Sequence, residues 1–177
     1  MAELKKLPIG IEDFEKIRQE DFYYVDKTRL IEQLLAQWGE VNLFTRPRRF
    51  GKSLNMSMFQ SFFEIGRDKN LFDGLHISKN PKLCEEYQGK YPVVSISLKG
   101  INGTTEEARG FLVKTINEEA RRLSFLSESP KLDETDQELL KQLKTKEMSN
   151  DSLVYSIREL TELMEKHYDK KVIVLID

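Results

Sequence analysis

The sequence predicts an α/β domain built on a mainly parallel sheet with helices on both faces. Three short runs rich in apolar, β-branched residues predict strands at residues 41–45 (VNLFT), 92–98 (PVVSISL) and 172–176 (VIVLI). These runs lack strict alternation between apolar and polar residues, and helical patterns separate them, as is typical of parallel strands that are covered on both faces. The alternation of helices with such strands indicates a doubly wound fold.

Two helices are predicted in the N-terminal half from capping residues and from apolar residues at helical spacing. Asp26 or Thr28 can cap a helix whose apolar face is formed by Leu30, Ile31, Leu34, Leu35 and Trp38. A second helix follows the first predicted strand, and Gly66 is expected to end it. Its apolar positions are Leu54, Met58, Phe62 and Ile65.

Three more helices are predicted in the C-terminal half. Thr104 and Glu107 form a capping-box pattern ahead of Phe111, Ile116, Ala120 and Leu123. Asp133 opens a polar helix that contains Leu139, Leu140 and Leu143. Asn150 or Asp151 opens another, with Leu153, Ile157, Leu160 and Met164 facing inward. We therefore expect a helical lead-in over residues 1–40 and a core over 41–177, with a charged helical insertion at about 127–152.

Composition excludes several classes of protein. The 28 basic and 30 acidic residues give a formal net charge of −2, so bulk charge favours neither nucleic acid nor a membrane as partner. Cys84 is the single cysteine, which excludes an internal disulfide framework and a cysteine-rich zinc site. The sequence contains neither a signal-peptide pattern nor 18 consecutive apolar residues, and we expect a bacterial, cytoplasmic protein.

The segment FTRPRRFGKSL, residues 44–54, resembles a phosphate-binding loop. Its consensus, G-x-x-x-x-G-K-[ST], lies between a strand and a helix, where backbone N–H groups and the helix N-terminus hold phosphate. Here Gly51, Lys52 and Ser53 match the consensus, whereas Arg46 replaces the first glycine. A solvated basic turn is the competing interpretation of the loop. The strand pattern VIVLID favours the phosphate loop, because it ends in Asp177, which can hold a Mg²⁺ ion through its water shell.

With both motifs placed, the chain resembles the bacterial AAA-ATPase-like family of predicted P-loop ATPases. The resemblance covers nearly the whole chain, through LPIGIEDFEKI, FYYVDKTRLIEQLL, FTRPRRFGKSL, YPVVSISLKG and VIVLID. An arginine-rich loop is typical of that family, so Arg46 is a family trait. The resemblance implies a P-loop NTPase three-layer sandwich, incomplete at the C-terminus. It also implies a nuclease-like domain beyond the chain, with nucleic acid as its partner.

The resemblance implies ATP and Mg²⁺ as ligands and assigns roles to the matching residues. Lys52 would reach the β and γ phosphates, Ser53 and Asp177 would serve the metal, and Lys52 and Asp177 would be the catalytic pair. The nucleotide-binding residues would be Arg46, Arg48, Arg49, Phe50, Gly51, Lys52, Ser53 and Leu54. In the family an acid follows directly after the position of Asp177 and polarises the attacking water. This chain ends before it, so we expect ATP binding here and efficient hydrolysis only in a longer protein.

Several alternatives stay open at this stage. Arg48 and Arg49 either grip phosphate or point to solvent, and residues 25–28 (VDKT) lie near the nucleotide base or simply cap a helix. A rival function is a nucleotide-independent interaction module, in which Arg46, Arg48, Arg49 and Lys52 form a basic patch for nucleic acid or protein. A homo-oligomer is also left open. For His76, His167 and Cys84 we expect structural roles.

Overall fold

The computed structural model describes residues 4–45, 47, 50–145 and 147–177. The chain divides into two compact units, Met1–Tyr91 and Pro92–Asp177. The first unit contains α1 (Phe14–Gln19), α2 (Arg29–Ala36), α3 (Lys52–Phe63) and α4 (Pro81–Tyr87), with short 3₁₀ helices at Lys69–Phe72 and His76–Lys79. The second contains β1 (Val93–Ile96), α5 (Thr105–Arg122), a 3₁₀ helix (Ser124–Glu128), α6 (Glu134–Leu143), α7 (Asn150–Tyr168) and β2 (Ile173–Ile176).

An aromatic core holds the first unit together. Its fully buried rings are those of Phe14, Phe59, Phe62, Phe63 and Phe72. Phe14 of α1 packs against Phe72 at a ring-centroid distance of 4.9 Å, and Phe72 in turn meets Phe62 of α3 edge to face at 5.2 Å. These contacts fix α3 against α1, so the helix that follows the candidate phosphate loop has a rigid support.

Residues 41–45 do not form the predicted strand. In the part of the chain that is described, β1 and β2 are the strands of the sheet, and residues 41–45 have no regular secondary structure. Val41 and Leu43 are 89% and 85% exposed, although Phe44 packs on Phe59. High β-propensity does not suffice here, because a strand also needs a partner for its backbone N–H and C=O groups. The prediction for this run is therefore wrong.

The other two predicted strands are confirmed, and they pair in parallel. Val93 is opposite Ile173, and the register continues to Ile96 opposite Ile176. β1 is buried on both faces, as expected for a covered parallel strand. β2 is covered less completely, since Val174 and Ile176 remain 38% and 51% exposed. The structure thus confirms a small parallel sheet in a mixed α/β chain.

The helices of the second unit begin close to where the sequence predicts. Thr104 and Glu107 form the expected capping box of α5, and Asp133 caps α6. α7 is capped by Ser149, one residue before the predicted start, because the Ser149 hydroxyl accepts from the N–H of Ser152. The apolar faces of these helices meet β1 in one core that includes Val94, Ile96, Val113, Ile116, Ala120, Leu123, Leu140, Leu143, Leu160, Leu163 and Met164.

Of the helices in the described ranges, none is long and apolar enough to cross a membrane.

Candidate functional site

The candidate phosphate loop leads directly into α3. Gly51 occupies the N-cap position in the left-handed conformation, with φ +77° and ψ 29°. Its carbonyl accepts from the N–H of Asn55 at 2.9 Å, which starts the helical hydrogen-bond ladder. Glycine adopts positive φ without the steric cost that a Cβ brings. Gly51 therefore allows the sharp change of direction from loop to helix.

The first turn of α3 is suited to an anion. Lys52 and Ser53 are the first two residues of the helix, and the turn contains no acidic residue, whereas α5, α6 and α7 each have acids in their first turns. A helix N-terminus carries partial positive charge and unpaired N–H groups. The positive charge of Lys52 is repelled by the partial positive charge of this helix end. An anionic ligand would offset that repulsion, because both the Lys52 ammonium and the helix N-terminus would attract it.

Five of the eight predicted nucleotide-binding residues, 50–54, belong to the described part of the chain. Phe50 is 61% exposed, Lys52 is exposed, and Ser53 and Leu54 are partly buried on the first turn of α3. Arg46, Arg48 and Arg49 lie outside the described residues. Asp177 belongs to the second unit, so its predicted partnership with Ser53 stays a prediction.

The α3 helix also contains a buried polar atom that the sequence patterns did not reveal. Oδ1 of Asn55 is buried and has no hydrogen-bond partner among the described residues. A buried acceptor of this kind destabilises the fold by roughly 1–3 kcal/mol. In the sequence, the one indication of this buried polar atom is an asparagine between Leu54 and Met56 on α3, which is a weak signal.

Asp177 follows directly after β2, as predicted. Its backbone pairs with the end of β1, since the Asp177 N–H donates to the carbonyl of Ile96 at 3.0 Å and the Asp177 carbonyl accepts from Leu98 at 2.7 Å. Its carboxylate lies 3.7 Å from the ammonium of Lys99, and the side chain is 16% exposed. A carboxylate oxygen suits Mg²⁺, although the metal would have to compete with Lys99. Among the described residues, no group of three or more His, Cys, Asp or Glu side chains is placed to hold a metal ion.

The VDKT segment, residues 25–28, contacts the phosphate loop through Lys27. The Lys27 ammonium lies 3.4 Å from the carbonyl oxygen of Phe50. It would also lie 3.1 Å from a Cβ built on Gly51. Thr28 occupies the N-cap position of α2, but its hydroxyl makes no capping hydrogen bond and donates to Asp26 instead. Thr28 therefore lies at the predicted cap position, but its side chain does not make the hydrogen bond of a helix cap.

Hydrogen bonds favour the ionised form of Asp26. Burial alone would raise the pKa of Asp26, but hydrogen bonds from the hydroxyl and N–H of Thr28 and from the N–H of His76 lower the pKa below its ordinary value. The three distances are 2.7, 2.9 and 2.6 Å. The carboxylate thus joins the start of α2 to the 3₁₀ helix at His76–Lys79.

Each of the two histidines contacts a polar side chain. His76 Nε2 lies 2.9 Å from Glu32 Oε2, and His167 Nδ1 lies 2.7 Å from the Ser129 hydroxyl. Burial, aided by the nearby negative charge of Glu32, raises the pKa of the Cys84 thiol. A raised pKa leaves less thiolate at neutral pH, so Cys84 is a poor nucleophile.

Comparison with known proteins identifies a family and a curated relative. The model of the AAA-ATPase-like family, described as a predicted AAA-ATPase, matches residues 8–177. The relative is an uncharacterized protein in the vnfD 5′ region of Azotobacter chroococcum mcd 1, 39% identical over 120 residues. The match covers 66% of this chain but 22% of the relative, so this chain corresponds to a minor part of that protein's length. No solved structure matches the chain.

Proposed function

Because this chain belongs to the AAA-ATPase-like family, we propose that it binds ATP together with Mg²⁺ at the loop that opens α3. The observation that carries the proposal is the left-handed Gly51 followed immediately by Lys52 and Ser53 on the first turn of a helix. A phosphate loop needs this order, because the glycine turns the backbone and the next residues present their N–H groups and side chains to the phosphates.

In this proposal the loop binds the nucleotide mainly through its phosphates. Lys52 would contact the β and γ phosphates, and the backbone N–H groups of residues 50–53 would surround the β phosphate. Arg48 or Arg49 would add a bidentate contact to phosphate oxygens. The positive end of α3 adds to the attraction, since the first turn brings no acid of its own.

The metal would be held by hard oxygen ligands. Ser53 would ligate Mg²⁺ directly, and Asp177 would hold the ion through its water shell, as is common for this metal. When bound, Mg²⁺ neutralises charge on the phosphate oxygens. The Lys99 ammonium, 3.7 Å from the Asp177 carboxylate, would compete with the ion for this carboxylate.

We also propose that the chain is the phosphate-binding part of a P-loop sandwich, with hydrolysis performed by a longer protein. Hydrolysis would use water as nucleophile and would depend on positioning and charge stabilisation.

The test is equilibrium binding of a fluorescent ATP analogue with and without Mg²⁺, with GTP as competitor. Lys52→Ala should weaken binding at least about a hundredfold, since it removes a charge-assisted contact to two phosphates. Lys82→Ala removes an exposed lysine of α4 in the same unit and should leave binding unchanged. Equal binding by the Lys52→Ala and wild-type chains, both folded by circular dichroism, would refute the proposal. Salt-sensitive binding of a short DNA or RNA in place of ATP would favour the basic-patch module.

A further inference from the structure

The backbone of residues 26–28 is anchored on both sides of Lys27. The Asp26 carboxylate accepts from the N–H of His76 at 2.6 Å, and the Thr28 hydroxyl accepts from the N–H of Ile77 at 3.1 Å. Thr28 is completely buried, and Asp26 accepts two further hydrogen bonds from Thr28. Because both neighbours of Lys27 are tied to the 3₁₀ helix at His76–Lys79, its side chain leaves the backbone from a fixed point.

From that point the Lys27 side chain reaches a peptide group of the phosphate loop. Its ammonium lies 3.4 Å from the carbonyl oxygen of Phe50, longer than a typical N–H···O hydrogen bond, so the contact is a weak bond assisted by the positive charge. In a trans peptide the C=O of one residue and the N–H of the next point in opposite directions. A cation that holds the Phe50 carbonyl on one side therefore directs the N–H of Gly51 to the other side.

We propose that Lys27 is a positioning residue of the phosphate loop. By holding the Phe50 carbonyl away from the ligand, it keeps the Gly51 N–H directed at the phosphate and also keeps a carbonyl dipole from facing an anion. The inference rests on the proposed function of the loop. Lys27 acts through the backbone, whereas Lys52 is proposed to contact the phosphates, so the two lysines are separable by substitution.

The matched substitutions are Lys27→Met and Lys27→Arg. Methionine keeps much of the length and apolar stem but has no donor for the carbonyl, whereas arginine keeps both charge and donors. We expect Lys27→Met to weaken binding of ATP and of inorganic tripolyphosphate about tenfold, the loss that results when the binding-competent orientation of the Gly51 N–H is populated only about a tenth of the time. Lys27→Arg should retain affinity to within about threefold, and Lys82→Met should bind like the wild type.

A second readout follows the peptide group itself. The amide ¹⁵N chemical shift of a residue responds to hydrogen bonding at the preceding carbonyl, so Lys27→Met should move the Gly51 signal and Lys82→Met should not. Circular dichroism melting will establish that each variant is folded. Should Lys27→Met leave both ATP affinity and the Gly51 signal unchanged, the positioning role is wrong. The proposed function fails separately, if Lys52→Ala retains wild-type affinity.

Discussion

Glu119 of α5 closes one edge of strand β1 by accepting the backbone N–H of Ser95 at 2.7 Å. Arg122, one turn further along the helix, donates to the carbonyl of Val93 at 2.8 Å and also pairs with Glu119 at 2.7 Å. The other edge of β1 is occupied by β2. Side chains thus replace a neighbouring strand, which prevents unwanted strand addition at this edge.

This relationship predicts a large loss of stability for Glu119→Ala. The substitution leaves the Ser95 N–H without its acceptor and removes a 95%-buried partner from Arg122. We expect the free energy of unfolding to fall by about 3 kcal/mol, measured by urea denaturation. Glu118→Ala is the matched control, because Glu118 is exposed and pairs with Lys114 at 3.7 Å on the helix surface. It should cost less than about 0.5 kcal/mol; equal losses for the two variants would contradict the edge-closing role.

Gly51 and Gly110 are predicted to respond oppositely to alanine. At Gly51 the φ of +77° is strained for any residue with a Cβ, so Gly51→Ala should reduce stability by roughly 1–2 kcal/mol and weaken ATP binding. The Lys27 ammonium lies 3.1 Å from a Cβ built on Gly51, so the substitution would also crowd the contact between Lys27 and the loop. Gly110 lies inside α5, and among the described residues no atom beyond its chain neighbours and the adjacent helix backbone lies within 4 Å of a built Cβ. Gly110→Ala should therefore stabilise the chain by about 0.5–1 kcal/mol.

Thermal or urea denaturation of both glycine variants checks this pair, with ATP titration for the loop variant. A stabilised Gly51→Ala chain with intact ATP affinity would show that the loop does not need the left-handed conformation.

The capping box of α5 predicts a pH dependence. Hydrogen bonds from the backbone N–H and the hydroxyl of Thr104 lower the pKa of Glu107 below its ordinary value of 4.5. Because the pKa is lower in the folded state, the stabilising contribution is present above pH 4.5 and is lost as the pH falls through the lowered pKa. NMR titration of the Glu107 side-chain carbon should show the depressed pKa directly.

Thr104→Ala tests the cause of that shift. The variant should lose about 1 kcal/mol of stability at neutral pH, since it removes the hydroxyl that caps the N–H of Glu107. It should also move the pKa of Glu107 toward 4.5. An unchanged Glu107 titration in this variant would mean that the backbone hydrogen bond alone sets the pKa.

The sequence predicted correctly those features that depend on interactions between residues close together in the chain. A capping box joins residues three positions apart, so Thr104–Glu107 could be recognised directly, as could the cap at Asp133. Ser149 was missed by one position because several capping residues stand side by side in SNDS, and any of them can begin the helix. The run at residues 41–45 was predicted as a strand from its β-propensity. Propensity carries no information about strand pairing, and among the described residues this run pairs with no strand of the sheet.

The sequence by itself determined where α2, α5 and α6 begin, two of the three predicted strands, and the loop-to-helix order around Gly51, Lys52 and Ser53. Each of these depends on residues within one or two turns of one another. Only the tertiary structure decided which strands pair, that Glu119 closes the edge of β1, and that Lys27 reaches the Phe50 carbonyl 23 residues away. These contacts join distant parts of the chain, and their geometry is set by how the helices pack.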